Sequence, residues 1–195
     1  MRISEIARKT SETNILIKLN IDGTGKSAIE TGIGFFDHML TLFTAHGLFN
    51  LELEATGDLH VDFHHTVEDV GLCLGVAFKD ALADKSGIKR YGFISLPMDE
   101  TLANVSLDIS GRPHLTLVNP LEDRMAGDFP LGLLRVFFQA FTDRGGITAH
   151  ATVMTGSNPH HAAEALFKGF ARALREAVSK DPRVQDVPST KGSID

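Results

Sequence analysis

The chain has 195 residues and a formal net charge of −6, with 43% hydrophobic and 23% charged residues. These values are typical of a globular protein with one large domain or two small ones. The acidic balance, without any basic block, argues against a nucleic-acid surface, and no apolar run approaches the length of a membrane span. Cys73 is the single cysteine, so no disulfide framework is expected and a reducing, cytoplasmic location fits best.

The first half of the chain predicts strands and helices in alternation. Residues 14–20 form a short strand, followed by a turn at Asp22-Gly23-Thr24-Gly25. Residues 35–46 follow a helical pattern that Gly47 ends, and residues 48–56 alternate Leu with Glu, as a half-buried strand does. Residues 64–83 then carry a clear apolar helical stripe.

The second half repeats this order. Strands are predicted at residues 103–109 and 115–118, a helix at 131–141, a strand at 147–154 and a long helix at 159–178. Asn158 suits the N-cap of that last helix, and Pro159 suits its first position. Each half is therefore roughly strand, strand, helix, strand, helix, which predicts an α+β fold with internally duplicated ββαβα-like halves and helices packed on one face of the sheets.

The duplication divides the chain into three predicted parts. Residues 1–90 form the first half-repeat, residues 91–182 form the second, and residues 183–195 form a C-terminal loop without periodicity. The loop contains the run Pro188-Ser189-Thr190-Lys191-Gly192, and is interpreted as either disordered or functional.

One short pattern opens the last helix of each half: His64-His65-x-x-Glu68 and His160-His161-x-x-Glu164. Residues four apart share a helical face, so the first histidine and the glutamate can bind one ion, although a spacing of three also works in carboxylate bundles. The second histidine points about 100° away. This divergence favours two metal ions, each bound by a pair from one helix and the spare histidine of the other. Imidazole with carboxylate suits borderline divalent metals.

Other side chains are candidates for the same site. His38 and His46 lie eight residues apart on one predicted helical face and can line one cleft. Lys168 lies eight residues beyond His160 on the same helix and is expected to flank a ligand bound to the metals. Asp99 and the adjacent glutamate can supply acid–base chemistry or can simply begin a strand. The remaining candidates are three histidines and three cations: His60, His114, His150, Arg90, Arg112 and Lys191.

Six runs carry a family resemblance: Gly34-Phe35-Phe36-Asp37-His38-Met39-Leu40, His64-His65-Thr66-Val67-Glu68-Asp69, Met98-Asp99-Glu100-Thr101, Ser110-Gly111-Arg112-Pro113, Asn158-Pro159-His160-His161-Ala162-Ala163-Glu164 and Pro188-Ser189-Thr190-Lys191-Gly192. In order and over essentially the whole chain, they resemble the imidazoleglycerol-phosphate dehydratase family of histidine biosynthesis. The resemblance implies a ribosomal protein S5 domain 2-like fold. Because no phosphatase-like segment precedes Met1, the monofunctional form is expected.

The resemblance implies two Mn²⁺ ions per active site. One ion would be bound by His38, His64, Glu68 and His161, and the other by His65, His160, Glu164 and one further ligand. Contacts to the phosphorylated substrate would come from Glu12, His46, Arg90, Arg112, Lys168, Ser189 and Lys191. Glu12 would transfer the proton, with Asp99 as its partner.

The implied reaction is dehydration of imidazole glycerol phosphate to imidazole acetol phosphate, which makes the enzyme a hydro-lyase. The hydrogen that is lost is not next to a carbonyl, so Lewis-acidic metals on the ring nitrogens would help the hydroxyl to leave. The resemblance also implies a homo-oligomer of 24 subunits whose sites form between neighbours. Neither a nucleic acid nor a membrane is an expected partner.

One departure from the family pattern concerns the second metal. A histidine or glutamate usually precedes the Phe-Phe pair of the third helix, and this chain has Val136 there. The second ion is therefore expected to bind more weakly, with water or His150 filling the vacancy. Two alternative functions fit the same motifs, namely a dinuclear metallohydrolase and a catalytically weakened paralogue that metals only assemble.

Overall fold

A computed structural model describes residues 1–194 of the chain. Its first half contains β1 (Ile3–Lys9), β2 (Thr13–Asn20), β3 (Ser27–Glu30), α1 (Gly34–Gly47), β4 (Asn50–Gly57) and α2 (His64–Leu82). Its second half contains β5 (Tyr91–Met98), β6 (Thr101–Asp108), β7 (His114–Val118), β8 (Met125–Ala126), β9 (Phe129–Pro130), α3 (Gly132–Gly145), β10 (Thr148–Thr155) and α4 (Pro159–Val178).

The two halves form sheets of the same topology, as the predicted duplication requires. The first sheet has the strand order β1-β2-β4-β3 and the second has the order β5-β6-β10-β7. In both sheets the first two pairings are antiparallel and the last is parallel. The repeat also extends to the helices. Both α1 and α3 have 14 residues, and their fifth residues are His38 and Val136.

The helices fill the space between the two sheets, and they pack across the halves. Helix α2 lies on the first sheet and against α3, whereas α4 lies on the second sheet and against α1. Helices α2 and α3 can approach closely because Gly71 and Gly75 have no side chain. A Cβ on Gly71 would lie 2.7 Å from the carbonyl oxygen of Phe137, and one on Gly75 would lie 2.5 Å from that of Phe141. These successive contacts show that the two helices run in the same direction.

The core is continuous between the halves. Phe43 of α1 and Phe78 of α2 both make ring contacts with Phe141 of α3, at centroid distances of 6.1 and 5.4 Å. Edge-to-face pairs of this kind add roughly 0.5–1.5 kcal/mol each to the free energy of unfolding, beyond the burial of the rings. The two half-repeats therefore share one hydrophobic core.

The prediction of an α+β fold with a duplicated arrangement is confirmed, but in each half three strands of the four-stranded sheet precede the first helix, rather than two. Three strands of these sheets were missed, β1, β3 and β5, and all three are edge strands; β3 has only four residues. In β1 the positions that face the helices include Arg8, which pairs with Asp69. In β5 the strand contains Gly92 and Pro97, and an edge position tolerates proline because its N–H needs no ladder partner. Their sequences therefore lack the alternating pattern of a half-buried strand.

The second half also carries an insertion that the sequence did not reveal. The β8–β9 hairpin lies between β7 and α3, and its buried Phe129 contacts Phe35 of α1 at 5.2 Å and Phe63, next to α2, at 6.3 Å. The hairpin therefore packs beside the N-termini of both helices. Within residues 1–194, every helix is too short or too polar to cross a membrane.

Candidate active site

A three-residue cluster joins α1 to the N-terminus of α4. The Nε2 atoms of His38 and His160 lie 3.1 and 2.9 Å from Oε1 of Glu164. Both histidines are about half exposed, whereas Glu164 is buried. Among residues 1–194, this is the only group of three potential ligands whose atoms all lie within 4.8 Å of one another. We call it the second-motif site.

The local sequence explains how this site is built. Asn158 caps α4 by accepting a hydrogen bond from the backbone N–H of His160 at 2.9 Å, and Pro159 begins the helix as predicted. Lys168, one turn beyond Glu164, donates to its Oε2 at 2.5 Å. Burial by itself raises the pKa of Glu164, but the hydrogen bonds from Lys168 and the two histidines outweigh it and bring the pKa to about 2. The carboxylate is thus ionised and able to bind a cation.

The first motif does not form an equivalent cluster within one chain. His64 and Glu68 are both about half exposed, and their nearest atoms are 3.8 Å apart. No third potential ligand joins them in the described part of the chain. The internal repeat equates α2 with α4 and α3 with α1, because α2 packs on α3 as α4 packs on α1. Val136 of α3 therefore corresponds to His38 of α1, and its place relative to His64 and Glu68 corresponds to that of His38 relative to Glu164. We call His64, Glu68 and position 136 the first-motif site.

This grouping corrects the division of ligands that the resemblance implied. His38 was expected with the first motif, but it lies beside His160 and Glu164 of the second. Position 136 was expected to complete the site of the second motif, but the repeat assigns it to the first. His150, expected as a substitute ligand, lies on the outer, exposed face of the second sheet, 5.5 Å from the ring of His114.

The second histidine of each motif has a different partner. Nδ1 of His65 lies 3.0 Å from Oδ2 of Asp58, which follows β4, and Nδ1 of His161 lies 2.7 Å from Oε2 of Glu100, in the β5–β6 turn. These hydrogen bonds raise the pKa of both histidines, and the bond from His161 is the main cause that lowers the pKa of Glu100 to about 2. In each case Nε2 is left for another ligand.

The two acids predicted for proton transfer lie at different motifs. Glu12, in the β1–β2 turn, is close enough to His65 for its charge to contribute to the raised pKa of that histidine, after the hydrogen bond to Asp58. Asp99, in the β5–β6 turn, has Oδ2 3.8 Å from Nε2 of His161 and is largely exposed. One chain therefore offers an exposed carboxylate beside the second histidine of each motif.

His46, predicted to share a cleft with His38, lies near the second-motif site. Burial lowers the pKa of His46, the positive charges of Lys168 and Arg172 lower it further, and Glu164 opposes them. The neutral imidazole has one donor and one acceptor nitrogen. His46 can therefore hydrogen-bond a substrate beside the buried carboxylate.

A separate cavity of about 800 Å³ brings together the cations expected at the phosphate. It is lined by Arg90, Arg112, Ser189 and Lys191, together with other residues of the C-terminal loop. Arg90 fixes the loop by donating to the carbonyl oxygen of Pro188 at 2.9 Å. We call it the cation-lined cavity; its positive side chains and hydroxyls suit an anion.

Arg90 is itself held by a partner that sequence reasoning missed. Its Nε and Nη2 atoms donate to the two carboxylate oxygens of Asp108 at 2.7 and 3.1 Å, and its own backbone has a positive φ of 73°. A non-glycine residue in this conformation is uncommon. Asp108 and Asp58 left no recognisable motif, and Glu100 was noted only for acid–base chemistry, because the contact of each carboxylate is made only after folding.

The cation-lined cavity lies far from the second-motif site of the same chain. The N–H of Arg90 donates to the carbonyl oxygen of Ala177 at 2.8 Å, 17 residues beyond His160 on α4. At about 1.5 Å per residue, this places the two regions about 25 Å apart. The eight residues of β5, which return from Tyr91 to Met98 beside Lys168, give a similar separation at about 3.3 Å each.

Comparison with known proteins identifies the family that the sequence motifs resemble, and the similarity extends over the whole chain. A family model described as imidazoleglycerol-phosphate dehydratase matches residues 31–174. Relatives of that name from Azorhizobium caulinodans and Syntrophus aciditrophicus are both 54% identical over 195 residues, which is 100% of this chain and 99% of each relative. The crystal structure of the enzyme of that name from Staphylococcus aureus has a TM-score of 0.83 and 40% identity, covering 92% of this chain and 99% of that one.

Proposed function

We propose, because the chain belongs to the imidazoleglycerol-phosphate dehydratase family of hydro-lyases in histidine biosynthesis, that it converts imidazole glycerol phosphate to imidazole acetol phosphate with divalent metal ions. The observation that carries the metal dependence is the second-motif site. Two imidazole nitrogens and one ionised, buried carboxylate oxygen converge there, and this donor set fits a borderline divalent ion such as Mn²⁺. The single buried cysteine is consistent with a cytoplasmic enzyme.

The two proposed ions differ in their ligands. The second-motif site supplies His38, His160 and Glu164, and His65 of a neighbouring copy would complete it. The first-motif site supplies His64 and Glu68, and His161 of a neighbouring copy would complete it, with Val136 contributing nothing. As expected from the resemblance, each ion takes the second histidine of the other motif. The difference from the expected ligand sets is that His38 now belongs to the second-motif site and position 136 to the first-motif site.

The separation of the two regions supports an oligomer with sites between subunits. The substrate spans only a few covalent bonds between its ring and its phosphate, far less than the roughly 25 Å within one chain. The cation-lined cavity of one copy would therefore serve the metal site of another. We propose the homo-oligomer of 24 subunits that the resemblance implied.

The residues of the chain divide the chemistry among them. The bound metal supplies Lewis-acid polarisation of the substrate's imidazole ring. Glu12 accepts the proton from the carbon next to the one that loses its hydroxyl, and this proton is then passed to the departing hydroxyl, which leaves as water. Asp99 is the proposed partner in proton transfer, and the remaining enol becomes the ketone when a proton returns to the ring-adjacent carbon. His46 and Lys168 orient the substrate beside Glu164.

Removal of the metal tests this proposal directly. After exhaustive chelation, we expect dehydration of imidazole glycerol phosphate to stop and the large assembly to dissociate, because ligands from two copies must converge on each ion. Added Mn²⁺ should restore both. The measurements are product formation and size-exclusion chromatography on metal-free and reloaded protein.

The outcomes separate the alternatives. Full activity after verified metal removal would contradict metal dependence. Release of inorganic phosphate without dehydration would indicate the dinuclear metallohydrolase. Metal-dependent assembly without either reaction would indicate the weakened paralogue.

Arg112→Ala tests the cation-lined cavity. Within residues 1–194, the Arg112 side chain makes one weak hydrogen bond, from Nη1 to the Ser110 carbonyl at 3.3 Å, so its removal leaves no carboxylate of these residues unpaired. The loss of a charged hydrogen bond costs roughly 1.5–3 kcal/mol, which corresponds to a KM higher by about 10- to 150-fold. Metal content should not change. Lys89→Ala, an exposed cation outside this cavity, is the control, and loss of metal from Arg112→Ala would contradict the assignment.

A further inference from the structure

The paired histidines of each motif are held in two different ways. The first histidine, His64 or His160, directs Nε2 toward the glutamate of its own motif. The second histidine, His65 or His161, instead has Nδ1 at a carboxylate that comes from outside its helix. The same device occurs in both halves, although Asp58 and Glu100 come from unrelated loops of the repeat.

A carboxylate at Nδ1 determines where the proton of a neutral imidazole lies. An ionised carboxylate can only accept, so Nδ1 must donate and Nε2 must keep its lone pair. Metal-binding histidines commonly have such an outer partner, which fixes both the tautomer and the orientation of the ring. The Nε2 atoms of His65 and His161 join no group of three ligands within residues 1–194.

We propose that Asp58 and Glu100 are positioning residues that fix the Nδ1–H tautomer of His65 and His161 and so present each Nε2 to the metal site of a neighbouring copy. The inference rests on the proposed metal-dependent function and goes beyond it. It assigns a role to two carboxylates that touch neither the substrate nor the ion.

Glu100 is held so firmly that an amide in its place would reverse the hydrogen bond. Its Oε1 accepts from the backbone N–H groups of Asn158 at 3.0 Å and Ser157 at 3.3 Å and from the hydroxyl of Thr101 at 3.0 Å. In Glu100→Gln, these donors keep the amide carbonyl on their side. The NH₂ group then faces Nδ1 of His161, so the proton moves to Nε2, which can no longer bind a metal.

Asp58 provides a matched contrast, because only one of its oxygens is engaged. Oδ2 accepts from His65, whereas the buried Oδ1 has no hydrogen-bond partner in the described structure. In Asp58→Asn, the amide can therefore rotate and offer its carbonyl to Nδ1–H of His65. The Nε2 lone pair is kept, and only the negative charge is lost.

The experiment compares Mn²⁺ affinity and assembly in the full-length protein. Wild type, Glu100→Gln, Asp58→Asn and the control Glu54→Gln, whose carboxylate lies exposed on the outer face of the first sheet, are titrated with a chelator of known affinity and sized at each step. We expect Glu100→Gln to lower the Mn²⁺ affinity of the first-motif site, which His161 completes, by about 10- to 100-fold. Asp58→Asn should lose much less, and Glu54→Gln nothing.

A double-mutant cycle with His161→Ala separates positioning from general damage. If Glu100 acts through His161, then Glu100→Gln adds no further loss of affinity once His161 is gone. Additive losses would overturn the proposal, as would wild-type affinity in Glu100→Gln or equal losses in Glu100→Gln and Asp58→Asn. These results differ from failure of the proposed function, in which wild type itself would need no metal.

Discussion

Glu164→Gln is expected to lose the ion of the second-motif site and nearly all dehydratase activity. The carboxylate supplies the only negative charge among the three ligands, and its other oxygen carries the hydrogen bond from Lys168. Removing even an outer partner of a metal ligand costs about 10- to 100-fold in affinity, so loss of a charged ligand should exceed about 100-fold. Metal analysis of the purified variant and steady-state rates at saturating Mn²⁺ provide the measurements.

The matched control lies on the same helix. Glu176 is exposed on α4 and faces Lys89 at 3.8 Å, so Glu176→Gln removes the same charge without touching a proposed ligand. It should keep wild-type metal content and activity. Full metal occupancy in Glu164→Gln would remove the second-motif site from the proposed function.

The helices were predictable because their sequences carry apolar residues at helical spacing and residues that favour helix ends. The prediction for α4 matches its bounds, since Asn158 and Pro159 determine the start and the apolar stripe continues to Val178. The edge strands β1 and β5 were not predictable by the same means. Their inward positions include Arg8 in β1, and Pro97 interrupts β5, so pairing with a neighbouring strand, which the sequence does not encode locally, decides their structure.

The site was predictable as a set of residues but not as a grouping. The motif spacing indicated metal ligands, and the cations Arg90, Arg112 and Lys191 do meet in one cavity. The partner of His38 depends on which helices cross between the halves, and this is a property of tertiary packing. The structure supplies the alignment that the sequence lacked. Gly34 and Gly132 begin helices of equal length, and aligning them places His38 opposite Val136.

The same alignment shows how the two proposed metal sites diverged. Both motifs keep their histidine pair and glutamate, and both second histidines keep a carboxylate at Nδ1. The difference lies in the helix packed alongside, where α1 contributes a ligand and α3 contributes Val136. We therefore expect one tight and one weaker metal site per chain, the weaker one being the first-motif site.

Exchanging His38 and Val136 tests this asymmetry in both directions. Val136→His should give the first-motif site a third ligand from its own chain. Its Mn²⁺ affinity should rise by at least about tenfold, because even an outer partner of a metal ligand changes the affinity by about 10- to 100-fold. Position 136 is only partly buried, so an imidazole fits without displacing the core. His38→Val should weaken the second-motif site by a similar factor or more. Metal titration against a competing chelator, read as tight sites per chain, measures both effects.

The expected series is one tight site in wild type, two in Val136→His and none in His38→Val. Gln139→His is the control, because it adds a histidine to the exposed surface of α3 within one turn of position 136. It should leave wild-type stoichiometry, since position 139 lies about 4.5 Å farther along α3 than position 136, about 60° around the helix and on its exposed surface. A gain in Gln139→His equal to that in Val136→His would mean that any added imidazole recruits metal. An unchanged Val136→His would mean that the repeat does not place position 136 beside the first motif, and the proposed pairing of His64 and Glu68 with α3 would be wrong.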